Sequence, residues 1–381
     1  MLEIFTKEEY QTRVSQTLEA MEGQGVQVLL AFANKVMPGH VRYLSGYETR
    51  HGIHDWCFLI LFPSQPPTLL TNVTWEHHKE MTWASDIVVT GLENVGQAIA
   101  DRLPHDIRTI GIAGYNHLPA PVYRTLASRF PSATIADASS LLLEVRKVKS
   151  LAEIGVLKRC AEITDAGGEA FLSASQEGRS ERDILVEVEG ALKRSGSDEV
   201  SFATQVGSGP RTALICPYPT DAVLRSGDLV QLDCGATYLG YRGDISRVAV
   251  VGKPSARQRL LLDVVVEMYE RLCEALKPGV VAAEVARLGV KIAESYGLKD
   301  FLYRSPAHPV EFMGHGIGCS YFELPDLSVN SNTEILENMI IVVEPILSEP
   351  GIGGVKIEDA GLVTQSGFER FSTCRIKTWM D

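Results

Sequence analysis

Apolar positions along the chain follow two rhythms. Short apolar stretches at 26–32, 56–62, 87–90 and 109–113 read as strands, and the 56–62 run is closed by the turn-forming Pro63-Ser-Gln-Pro-Pro67. Around them, 6–23, 95–103 and 120–130 carry apolar residues at helical spacing. The alternation predicts a small α/β domain over residues 1–147. Beyond it the helical stretches lengthen. Ser150 followed by Glu153 is a capping box, in which a hydroxyl and a carboxylate satisfy each other's unpaired backbone N–H groups, and it predicts a helix from there to about residue 175. Ser180 with Asp183 opens a second helix that ends near Gly196. Helices over 256–276 and 281–296 are stopped by Lys277-Pro278-Gly279 and by Gly297. Strands at 229–234, 245–251, 339–347 and 355–364 complete a second domain over 148–381, predicted as α+β.

Composition narrows the class. A length of 381 residues suits two or three domains at about 150 residues each, and 45% hydrophobic with 22% charged residues is globular, which excludes disorder, collagen and coiled coil. A net charge of −12 disfavours broad attraction to nucleic-acid phosphates or anionic lipid, so no nucleic acid or membrane partner is expected. Seven scattered cysteines without C-x-x-C spacing argue against a disulfide framework or zinc knuckle and fit a reducing cytoplasm. The first residues lack the basic start and apolar stretch of a signal peptide.

The chemistry lies in carboxylates placed within strands. Asp233 ends the apolar run Leu229-Val-Gln-Leu-Asp-Cys234, and Asp244 heads the next run, Asp244-Ile-Ser-Arg-Val-Ala-Val-Val251. If 235–243 forms a hairpin, both return to the same end of the sheet. Glu344 shares its predicted strand face with Ile340, Val342 and Ile346, and Glu358 follows in Val355-Lys-Ile-Glu358. Burying one unpaired carboxylate costs several kcal/mol, so four on neighbouring strands require positive charge among them. Divalent metal ions with oxygen ligands are the most direct source. His315, in Met313-Gly-His-Gly-Ile-Gly318, joins them as the histidine whose flanking glycines let the backbone come close.

These residues resemble the pita-bread metallopeptidases, the family of aminopeptidase P, prolidase and methionine aminopeptidase, with creatinase as a relative. The resemblance runs over 148–375 through LDCGATYLGYRGDISR, ALKPG, GHGIG, VVEPIL and GGVKIEDAGLV, and reaches the first domain through VRYLSGY. It implies a pita-bread catalytic domain behind a smaller creatinase-type α/β domain, and a dinuclear site for two divalent ions, Mn, Fe, Co or Zn. By the resemblance Asp244 and Glu358 bridge the ions, Asp233 chelates one, and His315 and Glu344 complete the other. Glu344 and His315 are the implied catalytic residues, Glu344 handling the proton of the water that attacks a scissile amide carbonyl. The implied activity is that of an Xaa-Pro dipeptidase or aminopeptidase acting on a small or dipeptide substrate. Three positions depart from the family: where its peptidases carry histidines, this chain has Cys216, Glu311 and Phe322. The departures keep three alternatives open: an ectoine-hydrolase-like enzyme, a dimethylsulfoniopropionate-lyase-like enzyme, and a non-catalytic pita-bread binding module, against which the intact ligand set argues.

Cys216, Glu311 and His308 are accordingly expected to line the substrate pocket. In the first domain, Arg50, His51, His54 and Trp56 crowd the stretch before an apolar strand, a placement that suits a recognition loop carried by a sheet. Creatinase-like relatives are dimers whose N-terminal domain covers the partner's cleft, so the resemblance implies a homodimer in which this loop reaches the other subunit's metals.

Overall fold

The structure, a computed structural model, describes residues 4–49, 56–63, 65–72, 82–303 and 310–376. The chain divides into two compact units, Met1–Arg146 and Lys147–Asp381. In the first, the Thr6 hydroxyl caps the helix Lys7–Gly23 by accepting from the Glu9 N–H at 3.2 Å. Six strands follow: β1 (Val28–Asn34), β2 (Trp56–Leu61), β3 (Thr68–Thr71), β4 (Asp86–Val89), β5 (Thr109–Ala113) and β6 (Thr134–Asp137). They form one sheet in the order β4-β3-β2-β1-β5-β6, with antiparallel β1–β2 and β2–β3 pairs and parallel outer pairs. Val95 and Ile99 of the helix Leu92–Ala100 and Val122 and Leu126 of the helix Ala120–Arg129 pack with Val28, Leu30 and Phe58 to make its core.

Trp56 belongs to that core. It opens β2, is buried, and sets its ring edge-on to Phe58 at 5.8 Å. This corrects the reading of Trp56 as part of a recognition loop: a large ring at the head of an apolar strand gains from burial against other aromatics. Arg50, His51 and His54 lie outside the described residues.

In the second unit both capping boxes form, Ser150 with Glu153 at the helix Leu151–Ala174 and Ser180 with Asp183 at the helix Glu181–Arg194. Its strands are β7 (Glu199–Val200), β8 (Gln205–Ser208), β9 (Leu229–Cys234), β10 (Ala236–Tyr238), β11 (Tyr241–Arg242), β12 (Ile245–Val250), β13 (Phe312–Gly316), β14 (Glu323–Ser328), β15 (Ile340–Val343), β16 (Ile346–Glu349), β17 (Gly353–Lys356), β18 (Glu358–Thr364) and β19 (Gly367–Arg370). The main sheet is antiparallel and runs β14-β13-β15-β18-β12-β9-β8, with β19 beside β18. Strands β16 and β17 form a separate ribbon, and β7, β10 and β11 a small third sheet. One core gathers Ile163, Val188 and Leu232 with the first helix pair. Another gathers Leu261, Val285, Ile341 and Val343 with the helices Ala256–Ala275 and Ala282–Ser295. Among the described residues no helix is long and apolar enough to cross a membrane.

Two predicted strands are each divided. The 339–347 run breaks at Glu344-Pro345, because proline has no N–H to give the ladder. Glu344 therefore sits at a strand end, and Ile346 lies in the ribbon. The 355–364 run breaks at Ile357, between β17 and β18.

Candidate active site

Strand register brings the carboxylates together. Asp233 of β9 pairs with Ser246 of β12, and Ser246 pairs with Glu358 of β18, so the three stand in one row across the sheet. Asp244 lies two residues before Ser246 and by strand alternation shares its face. Glu344 directly follows Val343, which pairs with Asp359, and His315 of β13 pairs with Val342. The glycines around His315 are required by its neighbours. At Gly314, where φ is +145°, an added Cβ would fall on the Val342 carbonyl oxygen, and at Gly316 on that of Leu324. The glycine-flanked histidine stands on a strand squeezed between two others.

Asp233, Asp244, His315, Glu344 and Glu358 are all buried and line one cavity of about 290 Å³. His315 Nε2 lies 3.8 Å from Asp244 Oδ2 and 3.8 Å from Glu358 Oε1. Ligand atoms of these three residues fall within 4.8 Å of one another. His315 Nδ1 is 2.9 Å from its acceptor, the Gly316 carbonyl. In the neutral ring this turns the Nε2 lone pair toward the carboxylates, the arrangement of a metal-ligating imidazole. The ring also stacks on Phe322 at a centroid distance of 3.9 Å.

Sequence reasoning passed over one residue at the centre of this group. Lys356, at the end of β17, is buried with its ammonium 2.5 Å from Asp233 Oδ2, 3.0 Å from Glu344 Oε1 and 3.4 Å from Glu358 Oε2. The signal was present in Val355-Lys-Ile-Glu358, where the period of two places the lysine beside the glutamate.

Burial and crowding set the protonation of the site. Burial raises Asp233 to about 6 and Glu344 to about 7, with Glu358 adding to both and Lys356 opposing. Asp244 is pushed well above the usual carboxylate range, by burial first and by Glu358 and Asp233 next. Glu358 goes the other way, to about 2: burial would raise it, but Lys356 and the hydrogen bonds and charge around His315 outweigh that. For His315 burial would lower the value, and the Glu358 hydrogen bond with the Glu344 charge turns the shift upward.

The remaining cavity wall is largely aromatic: Phe202, Tyr303, Phe312, Tyr321 and Phe322, with Ile215. Cys216 joins them. Glu311, directly before β13, is not among the described residues that line the cavity, and its place in the pocket stays an expectation. His308 lies outside the described residues.

Charge at the site fits a cation. Asp233 Oδ1 and Asp244 Oδ1 are buried without a hydrogen-bond partner among the described residues, which is costly unless a positive ion meets them.

Comparison with known proteins follows the same division into two units. Residues 155–365, more than half of the chain, match the model of Metallopeptidase family M24, and residues 13–148 match the Creatinase/Prolidase N-terminal domain. The chain is 29% identical over 361 residues to an Xaa-Pro dipeptidase of Pyrococcus horikoshii, covering 94% of this chain and 96% of that one. An Xaa-Pro dipeptidase of Pyrococcus furiosus is 35% identical over 232 residues, 61% of this chain and 65% of that one. The crystal structure of the prolidase from Pyrococcus horikoshii is similar with a TM-score of 0.84 at 27% identity, covering 96% of this chain and 99% of that one. With the carboxylate row and its glycine-flanked histidine on the same sheet, the match has one meaning: this protein belongs to metallopeptidase family M24, a metal-dependent hydrolase with a creatinase-type N-terminal domain ahead of a pita-bread catalytic domain.

Proposed function

We propose that the protein hydrolyses the amide bond of Xaa-Pro dipeptides, using a divalent ion held by Asp244, His315 and Glu358. The observation that carries this reading is the pair of orphaned, buried oxygens, Asp233 Oδ1 and Asp244 Oδ1, beside the histidine. An oxygen-rich set with one imidazole suits Mn, Fe, Co or Zn, with manganese the first to test. When bound, such an ion would polarise the scissile carbonyl and lower the pKa of a water.

The chain's own residues do the rest. Glu344, raised to about 7 and held by Lys356 at 3.0 Å, can accept a proton and return it near neutral pH. Ser246 donates to Glu358 Oε2 at 2.6 Å and holds that carboxylate in place. Phe202, Phe312, Tyr321 and Phe322 offer an apolar surface to a prolyl ring. A volume of about 290 Å³ is near the small end of ligand pockets, roughly 300–1,000 Å³, which favours a dipeptide over a long chain. Cys216 is the substrate contact this reading assigns within the described residues; Glu311, His308, Arg50, His51 and His54 keep that role as expectations.

The same reading takes a homodimer as the working form, supported by the creatinase-type first domain. It takes the cytoplasm as the compartment, supported by seven free cysteines. The relatives reported above are peptidases and lend no support to ectoine-hydrolase-like or dimethylsulfoniopropionate-lyase-like chemistry, or to a binding module. The test is an assay of Mn²⁺-loaded protein on Xaa-Pro dipeptides, Xaa-Ala dipeptides, longer Xaa-Pro peptides and small cyclic amides. Hydrolysis of the Xaa-Pro dipeptides in preference to the others is the expected result. Turnover of a cyclic amide with no dipeptide cleaved would overturn the reading.

A further inference from the structure

We propose that the Lys356 ammonium occupies the place of one of the two cations the family resemblance implies, so that each chain takes a single divalent ion. The inference rests on the metal-dependent reading above and deepens it. The carboxylates are already divided between two centres. Asp233 Oδ2, Glu344 Oε1 and Glu358 Oε2 surround the ammonium at 2.5, 3.0 and 3.4 Å. Asp244, His315 and the other oxygen of Glu358 form the second group, with His315 Nε2 3.8 Å from both carboxylates. Glu358 therefore spans from one centre to the other, one oxygen toward each.

Two divalent ions in such a site sit about 3.5–4 Å apart, and the second would need the oxygens that the ammonium holds. It would also stand next to a fixed positive charge. The lysine is not free to drift away. Its backbone is paired in the ribbon, Lys356 opposite Ile346, and its side chain is buried with these three carboxylates as its partners. Asp244 Oδ1 has no hydrogen-bond partner among the described residues and is open to an ion; Asp233 Oδ1 lacks one too, but the other oxygen of that carboxylate is held by the ammonium.

The test is metal stoichiometry on the full chain. Chelator-stripped protein is titrated with Mn²⁺, bound metal per chain is counted by elemental mass spectrometry, and the electron paramagnetic resonance spectrum is recorded. One Mn²⁺ per chain with the spectrum of an isolated ion is expected. Lys356→Met should double the count and give the spectrum of an exchange-coupled pair. Two coupled ions in the unaltered chain would overturn the inference while leaving metal dependence intact, and no bound ion would overturn both. A folded Lys356→Met protein that still takes one ion would also overturn it. If that variant does not fold, the count on the unaltered chain decides alone.

Discussion

Glu358 and Asp359 are consecutive residues of one strand, both fully buried, and they are balanced in opposite ways. Asp359 meets Arg247 Nη2 at 2.7 Å and Arg370 Nε at 3.6 Å. Arg247 also donates to the carbonyls of Ser246, Glu358 and Cys374 and to the Ser372 hydroxyl, which donates to Asp165 at 2.5 Å. Two guanidinium groups face two carboxylates, so charge is balanced there, although Asp359 Oδ2 and Arg247 Nε have no hydrogen-bond partner among the described residues. On the Glu358 side stand four carboxylates, three of them in contact with the one ammonium, and Asp233 Oδ1 and Asp244 Oδ1 have no hydrogen-bond partner among the described residues. Buried charge by itself therefore does not mark the site; the shortage of positive charge does.

The contrast is broken most sharply by Asp244→Asn. Activity should fall by roughly 10⁴-fold, about 5.4 kcal/mol of transition-state stabilisation, and bound metal should be lost. The ion-free protein should keep its urea midpoint, because burial and the neighbouring carboxylates already favour the neutral form of Asp244, which an amide imitates. A variant that loses several kcal/mol of stability when ion-free would erase the distinction between the two sides. Arg247→Met does the converse. It leaves Asp359 buried and under-compensated, at a cost of about 3–5 kcal/mol in urea unfolding at pH 7. A loss below about 1 kcal/mol would show that the Arg247 network is not structural.

Acidity sharpens the same comparison on the open side. Asp244 is raised by burial and neighbouring carboxylates, and His315 is raised because Glu358 and Glu344 outweigh its burial. Both bind protons more tightly than the free side chains, and an arriving ion must displace what they hold, so affinity for Mn²⁺ should climb as pH rises, by up to about tenfold per unit for each proton released. Calorimetry at pH 6, 7 and 8 reads this, and a flat profile would contradict it. The smallest effect belongs to the wall. Phe322→Ala removes the ring stacked on His315 and should cost about 0.5–1.5 kcal/mol, read as a KM raised by up to roughly tenfold with kcat less affected.

Legibility in the sequence followed how local each signal was. The runs Thr109–Ala113 and Leu229–Cys234 stand where their apolar patterns put them, and the Ser150–Glu153 and Ser180–Asp183 boxes form as read, because each depends on residues within one turn or strand. The hairpin reading that returns Asp244 beside Asp233 agrees with the β9–β12 register. Misreadings came where partners distant in sequence decide. Strand β13 is not among the expected strands, because its glycine-rich run becomes a strand only where β14 and β15 close on it. Trp56 looks like a loop residue until Phe58 and the helices cover it. The need for positive charge among the carboxylates was legible, yet Lys356 was passed over, because a lysine in a strand ordinarily faces water.

The shortage of positive charge on the Glu358 side is tested most directly by alanyl-proline hydrolysis, measured on chelator-stripped protein before and after Mn²⁺ is restored. The stripped protein should show no turnover and should recover it on addition of the ion. Undiminished turnover by protein that elemental analysis finds free of metal would contradict a metal-dependent site.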